Sequence, residues 1–558
     1  MGALTGHGGV QAVAAALRHG VRALFTLSGA HVFPIYDAAV GGKDRVTAGQ
    51  PGPLALYDVR HEQSAVFAAE ATGKLTRTPG CAVVTAGPGV TNAVSGITSA
   101  WLSGVPLVVL GGRAPDARWG AGALQELDHP PLLASVTKAA GTVHDAGQIR
   151  AEVDAAFHLA GQPHRGPVFL DIAMDALYTE STTVAPELPA ATDRECDPAA
   201  LATAASILAE AHAPLVVIGS DVWNDGAEEA VVTLVTTLDI PAIANGSGRG
   251  VLPPGHRLLV SAARSHAVRG ADVVLVLGAP LDFRLGFGVF GPAERPATVI
   301  HAIDAASQRA THAAAHTLIG DIGRIAGELT ERVPRLRTGV RAGSQAQWAQ
   351  GCAERAGAAA AERAQECAAD SEPIHPARVY GEVRRLLDPD AVIIVDGGDF
   401  ASFAGRYLEP GRPGCWLDPG PFGCLGTAMG YSLGARVARP SSQVVVLLGD
   451  GAAGFSLGDL EALARQRISV AIIVGNNAMW GLERGPMRML YGYDVVAELS
   501  PDVRYDQAAC ALGAVGEHIT RPQDLAGALT RALAAEGPAV VNVALDPEVA
   551  YPRSTFGI

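Results

Sequence analysis

Val444-Val445-Val446-Leu447-Leu448 runs directly into Gly449-Asp450-Gly451, and further on Val470-Ala471-Ile472-Ile473-Val474 leads through Gly475 to Asn476-Asn477. Each apolar run has the length and the Val/Ile/Leu content of a parallel strand covered on both faces. The stretch between them, beginning Ala452-Ala453-Gly454-Phe455, has room for a loop and one helix. The two runs therefore read as strands of one βαβ arrangement, with a carboxylate and a carboxamide at their C-terminal tips. Such tips are where open α/β sheets bind ligands. Hard oxygen donors beside glycine-freed backbone amides suit Mg²⁺ together with a diphosphate. An isolated Gly-Asp-Gly more often makes a turn; the strand in front of it is what gives the motif its meaning.

Outward from that stretch, short apolar runs alternate with helical patterns along the whole chain. Further strands are expected at 81–85, 106–110, 168–171, 215–218, 273–277, 392–395 and 539–544. The fold class is α/β, with doubly wound parallel sheets. A length of 558 residues calls for more than two domains. Polar, Pro-rich residues 180–198 and the Arg-rich then Ala-rich stretch 330–376 place the breaks. Three domains are expected: 1–185, 186–355 and 356–558. No short internal repeat is visible. Residues 9–21 read as an amphipathic helix with Val10, Val13, Ala14, Leu17 and Val21 on its inner face.

Composition excludes several classes. A net charge of −14 without basic clusters argues against nucleic-acid binding. Arg332, Arg335, Arg337 and Arg341 read as a solvated helix end. No apolar run is long enough to span a membrane, and no signal peptide is apparent. Seven scattered cysteines, without metal-ligand spacing, fit a cytoplasmic protein.

In the first domain, Glu62 of Arg60-His61-Glu62-Gln63-Ser64-Ala65 stands at the start of a small-residue helix. An acid there is favoured by the helix dipole alone, or it is a functional carboxylate. Thr85-Ala86-Gly87-Pro88-Gly89-Val90-Thr91-Asn92 is a strand-to-helix turn whose glycines admit a ligand or a neighbouring subunit. His31 and Gln125 are candidate polar groups over a substrate.

Together, the segments at 26–37, 60–65, 85–92, 124–128, 449–455 and 475–477 resemble the thiamine-diphosphate (ThDP) enzymes that include acetolactate synthase, oxalyl-CoA decarboxylase and 2-hydroxyacyl-CoA lyase. The resemblance spans nearly the whole chain. It implies pyrimidine-binding, middle and diphosphate-binding domains, active sites between subunits, and hence a homodimer or homotetramer. It implies Mg²⁺ on Asp450, Asn477 and the Met479 carbonyl. Glu62 would hold N1′ of the aminopyrimidine. Gly398, Asp399, Phe400, Gly423, Gly451, Ala452, Met479 and Gly481 would surround the cofactor, and Leu425 would be the wedge that bends it, with Met429 a rival.

Met479-Trp480-Gly481-Leu482-Glu483-Arg484 is similar to the actinobacterial 2-hydroxyacyl-CoA lyases. That branch implies cleavage of a 2-hydroxyacyl-CoA, such as 2-hydroxyisobutyryl-CoA, to formyl-CoA and a ketone or aldehyde. Glu483 would be the acid–base group, with a pKa raised by an apolar pocket around Trp480 and Leu482; a surface pairing with Arg484 or Arg488 is the bland alternative. The CoA thioester would meet Ala30, His31, Gln125, Arg264, Ser265, Asp304, Asp321, Arg406, Arg553 and Ser554, with ADP or CoA in the middle domain. Ser28-Gly29-Ala30-His31 and Val136-Thr137-Lys138 resemble acetolactate synthase instead. That enzyme decarboxylates pyruvate and is the alternative activity; a non-catalytic subunit is a third reading.

Overall fold

The computed structural model describes residues 2–48, 50–189, 194–308 and 314–551. Three parallel sheets dominate it. The first runs Ala55–Asp58, Ala23–Thr26, Gly80–Val84, Leu107–Arg113, Pro167–Ala173, Ala139–Val143. The third runs Trp416–Leu417, Val392–Asp396, Val444–Gly449, Val470–Asn476, Pro538–Ala544, Val515–Ile519. Counted in chain order within each sheet, both have the order 2-1-3-4-6-5. The middle sheet, Ala242–Ala244, Pro214–Ile218, Val273–Leu277, Thr298–Ile303 and His316–Ile319, has the related order 2-1-3-4-5. In each sheet the order reverses beside the first strand, and that switch point is where a ligand crevice opens.

Strands Gly80–Val84, Leu107–Arg113, Val444–Gly449 and Val470–Asn476 are buried along their length, as parallel strands covered on both faces are. The edge strands were not legible: Trp416–Leu417 has two residues, and Val515–Ile519 is half exposed and carries Glu517 and His518. Short, mixed-polarity edges leave little periodic signal.

Helix Glu62–Thr76 packs against helix Thr427–Ala438, joining the first and third sheets into one core that contains Val84, Val109, Val446 and Val474. Two glycines allow the approach. A Cβ on Gly434 would lie 2.1 Å from the Ala68 carbonyl oxygen, and one on Gly430 would lie 2.7 Å from Phe67 Cβ. Asp459 of the third unit accepts from Ser64 Oγ at 2.6 Å and from the Arg60 amide at 2.7 Å. These bonds fix the residues on either side of Glu62.

Three expectations change. The first helix is Gly8–Arg18, and it buries Gln11, Ala12, Ala15 and Ala16 beside Val13, while Val10, Ala14 and Leu17 are only half buried. Gln11 belongs inside because its amide donates to the carbonyls of Leu4 and Ser181. Two helices, Asp450–Ser456 and Asp459–Arg465, replace the expected loop and single helix after Gly449. The break read at 330–376 is mostly helical, and position 355 falls inside the 28-residue helix Gly339–Glu366. That helix starts on the middle unit, where Gln345 donates to the carbonyls of Leu208 and Ala211. It ends on the third, where Arg363 donates to the Arg406 carbonyl. No helix among the described residues is long and apolar enough to cross a membrane.

Candidate active site

At the third sheet's switch point, Val392–Asp396 and Val444–Gly449 lie side by side, and Val470–Asn476 follows on the far side of Val444–Gly449 with Gly449 opposite Gly475. The chain enters a helix at Asp450 without a loop, so the carboxylate stands at the strand tip. It is 3 % exposed. Its Oδ1 accepts from the Gly451 amide at 2.9 Å, and Oδ2 is buried with no hydrogen-bond partner among the described residues. Burial pushes the Asp450 carboxyl up to about 6, against the pull of the Gly451, Ala478 and Met479 amides. A buried, half-satisfied carboxylate is costly unless a cation completes it.

The opposite lip supplies further donors. Asn477 is buried and makes no side-chain hydrogen bond among the described residues. Ala478 is in the left-handed region (φ 56°), which turns the chain so that Met479 can bridge to Glu498. Trp480 donates to the Ala497 carbonyl and Leu499 to the Ala478 carbonyl, both at 2.8 Å. Carboxylate, carboxamide and a loop carbonyl are oxygen donors of the kind Mg²⁺ takes, so these residues fit the ion. Beside them is a cleft of about 350 Å³ lined by Asp450, Gly451, Gly454, Phe455, Trp480 and Tyr505.

The neighbouring strand ends in Asp396, followed by Gly397-Gly398. Asp396 accepts from the amides of Gly426 and Ala428 at 3.2 and 2.8 Å, and so fixes the turn carrying Leu425. A Cβ on Gly397 would lie 2.2 Å from Leu425 Cδ2 and 3.0 Å from Ala452 Cβ. Leu425 is thus wedged between the glycine pair and the start of the Asp450 helix. Met429 is 1 % exposed and belongs to the core. Gly423 and Gly398 both have positive φ, and Gly423 is exposed. Phe400 points inward: its ring fills the space over Gly475, and its carbonyl accepts from Tyr380 at 2.6 Å. Asp399 packs against Gly481 and accepts from the Tyr551 amide at 2.7 Å. Arg553 and Ser554, which follow Tyr551, lie outside the described residues.

In the first unit, Glu62 begins its helix and is 6 % exposed; Oε2 accepts from Asn92 Nδ2 at 3.0 Å. Gly89 lies beside Thr85 and Glu62, since a Cβ there would be 2.8 Å from Thr85 Cγ2 and 3.7 Å from Glu62 Oε1, and Thr85 is what excludes a side chain. His31, Thr85 and Gln125 come together from three separate segments. His31 Nδ1 is 3.1 Å from Thr85 Oγ1, which donates to Gln125 Oε1 at 3.4 Å. Burial lowers the His31 pKa. Gln125 takes a left-handed φ of 60° against Gly87. Ala30 is exposed, with its carbonyl accepting from Tyr178.

Sequence reading missed the group that supports this face. His129, fully buried, accepts from the Gly87 amide through Nε2 at 2.9 Å, and its Nδ1 is 2.8 Å from Asp171, which also pairs with Arg113. Only its position directly after Leu124–Asp128 hinted at it.

Glu483 lies in the first turn of helix Gly481–Tyr491 and is exposed. The expected apolar enclosure is not formed, because Gly481 is the only buried residue of that helix. The bland alternative is not formed either: Arg484 and Arg488 pair with Asp494.

The other candidates form two groups. Asp304 is buried, 3.0 Å from His164. Asp321 caps helix Ile322–Leu336 and pairs with Arg194, which also reaches the Asp304 carbonyl. Arg264 donates to the Arg284 carbonyl, and burial among cations pushes it down to about 10; Ser265 beside it is exposed. Arg406 pairs with Glu366. Arg363 links these two arginines' segments by donating to the Ala262 and Arg406 carbonyls. A cleft of about 760 Å³ there carries Arg257, Arg363, Arg384 and Arg406. Lys138 donates to the carbonyls of Leu159 and Gln162, a structural role.

Sequence profiles of thiamine pyrophosphate enzymes match the chain three times: the N-terminal TPP binding domain over 7–132, the central domain over 201–329 and the C-terminal TPP binding domain over 396–543. The chain belongs to this family of ThDP enzymes. It is 45% identical over 545 residues to the acetolactate synthase large subunit IlvG of Mycobacterium tuberculosis, covering 96% of this chain and 95% of that one. A probable acetolactate synthase of Mycobacterium bovis is equally similar. The 2-hydroxyacyl-CoA lyase 2 of Bos taurus is 31% identical over 574 residues, covering 94% and 86%.

Proposed function

We propose that this protein is a ThDP- and Mg²⁺-dependent acetolactate synthase-type enzyme, which decarboxylates pyruvate or a similar 2-oxo acid and joins the resulting two-carbon unit to a second carbonyl compound. The observation that carries the reading is the 45% identity to acetolactate synthase across 96% of the chain, which includes both sides of the site. When bound, ThDP supplies the electron sink for a carbanion beside a carbonyl carbon. Asp450, Asn477 and the Met479 carbonyl would hold Mg²⁺. Leu425 would set the bend of the cofactor. Glu62, oriented by Asn92, would hold a proton at the aminopyrimidine. His31, Thr85 and Gln125 give a small polar face suited to a substrate carboxylate or carbonyl oxygen. The exposed apolar run Met489, Leu490 and Tyr491, beside Glu483, would be covered by a second copy in a homodimer or homotetramer.

One observation favours a second reading, the 2-hydroxyacyl-CoA lyase. Glu483 lies six residues past Asn477, and the arginine-lined cleft suits the phosphates of a CoA thioester. Purified protein with ThDP and Mg²⁺ should be offered pyruvate and 2-hydroxyisobutyryl-CoA in parallel. Acetolactate without formyl-CoA supports the synthase. Formyl-CoA with acetone, and no acetolactate, replaces it with the lyase.

A further inference from the structure

His164, Asp221 and Asp304 converge beyond the strand tips of the middle sheet. Asp221 follows strand Pro214–Ile218, and Asp304 follows Thr298–Ile303 directly. His164 comes from the first unit, just before strand Pro167–Ala173, with its ring seated against Gly104. Its Nδ1 is 3.0 Å from Asp304 Oδ1 and 3.9 Å from Asp221 Oδ1. One donor atom from each residue lies within 4.8 Å of the others. Donors bound tetrahedrally at metal distances of about 2.1 Å stand roughly 3.4 Å apart, a value that lies between the 3.0 Å hydrogen bond from His164 to Asp304, which a bound cation would replace, and the 3.9 Å separation to Asp221.

Charge points the same way. Arg165 pairs with Asp225, and Arg194 pairs with Asp225 and Asp321. Lys138 spends its hydrogen bonds on two backbone carbonyls. Among the described residues, the Asp221 carboxylate, 2 % exposed, is hydrogen-bonded only by the neutral amides of Asn224 and Gln308. Two buried acceptors are unused among the described residues: Gln308 Oε1 and Asp304 Oδ2 have no hydrogen-bond partner there, Arg165 standing off at 3.9 Å from the latter. Gln308 is 7 % exposed, and its amide donates to Asp221 Oδ2 at 2.8 Å. His164, Asp221, Ser307 and Gln308 also line a cavity of about 100 Å³, enough for an ion with water.

From this arrangement we infer that His164, Asp221 and Asp304 bind one divalent transition-metal cation of the zinc or manganese type, with Gln308 or water completing the shell. A nitrogen and two carboxylates suit those ions better than Ca²⁺ or Mg²⁺. The ion cross-links the segment before Pro167 to the middle sheet and leaves the ThDP site untouched. The test is Zn²⁺ content after dialysis of the holoenzyme, kept in ThDP and excess Mg²⁺ throughout, against Zn²⁺ and then against Zn²⁺-free buffer. Wild type is expected to retain one Zn²⁺ per chain. Asp221→Asn and the part-exposed variant His164→Gln are each expected to retain less than a tenth of that, with ThDP content and circular dichroism unchanged. If Asp221→Asn does not fold, His164→Gln alone decides. Absence of retained Zn²⁺ in wild type, or undiminished Zn²⁺ in a folded variant, overturns the assignment.

Discussion

Substituting Gly434 by alanine tests whether close packing of two helices sets the position of Glu62. The added Cβ would lie 2.1 Å from the Ala68 carbonyl oxygen and 2.9 Å from Ala71 Cβ. Comfortable contact needs about 3.5 Å, so helices Thr427–Ala438 and Glu62–Thr76 must part locally by more than about 1 Å. Nothing at the contact can rotate away, because the opposing atoms are backbone and an alanine methyl. Helix propensity works in the opposite direction and favours alanine by about 1 kcal/mol. Overpacking costs about 1–3 kcal/mol, and a backbone clash belongs at the upper end, so the net loss is about 2 kcal/mol. Gly327→Ala is the matched control: it is exposed, mid-helix and has nothing within 4 Å of its added Cβ, so it should gain about 1 kcal/mol. Catalysis should respond too, since Glu62 is the first residue of the displaced helix. A misplacement of about 1 Å costs roughly 100-fold in rate. Denaturant midpoints and turnover of the ThDP-loaded enzyme read both effects. A Gly434→Ala variant as stable and as active as wild type would refute the reasoning.

Glu62→Gln should keep ThDP bound and lower turnover about 10²–10⁴-fold; steady-state rates and cofactor content check it, and normal turnover removes Glu62 from cofactor activation. Asp450→Asn removes the charge at the half-satisfied strand tip, so Mg²⁺-dependent retention of ThDP on gel filtration should be lost while the fold persists. Asp396 is fully buried, and burial pushes its carboxyl up to about 7 from 3.8. A raised folded-state pKa means the native state binds more protons between those values. Stability should therefore fall as pH rises from about 4 to 7, by about 4 kcal/mol at most; Asp396→Asn should flatten that slope in denaturant titrations. Asp321→Ala should cost about 1 kcal/mol through the lost helix cap and leave substrate KM unchanged; a raised KM would mark Asp321 as a substrate contact as well.

The sequence by itself determined most inner strands and the motifs at their tips, though not the four-residue Ala23–Thr26. Val444–Gly449 and Val470–Asn476 are continuous apolar runs ended by glycine or asparagine, and both the burial on two faces and the place of Asp450 follow from that local pattern. Glu62 at a helix start was equally local. The edge strands, the shared 2-1-3-4-6-5 order and the length of Gly339–Glu366 were not, because alanine-rich and short polar segments carry little period. Tertiary structure alone decided which distant residues meet. His31, Thr85 and Gln125 lie on three segments, His129 finds Gly87 and Asp171, and His164 crosses to Asp221 and Asp304. Folding also turned Asp321 into a cap and left Glu483 in the open. The reason is physical: a strand or turn is encoded by neighbours along the chain, whereas a polar side chain's role depends on which partner satisfies it once water is gone, and that partner is chosen by the packing of sheets far apart in sequence.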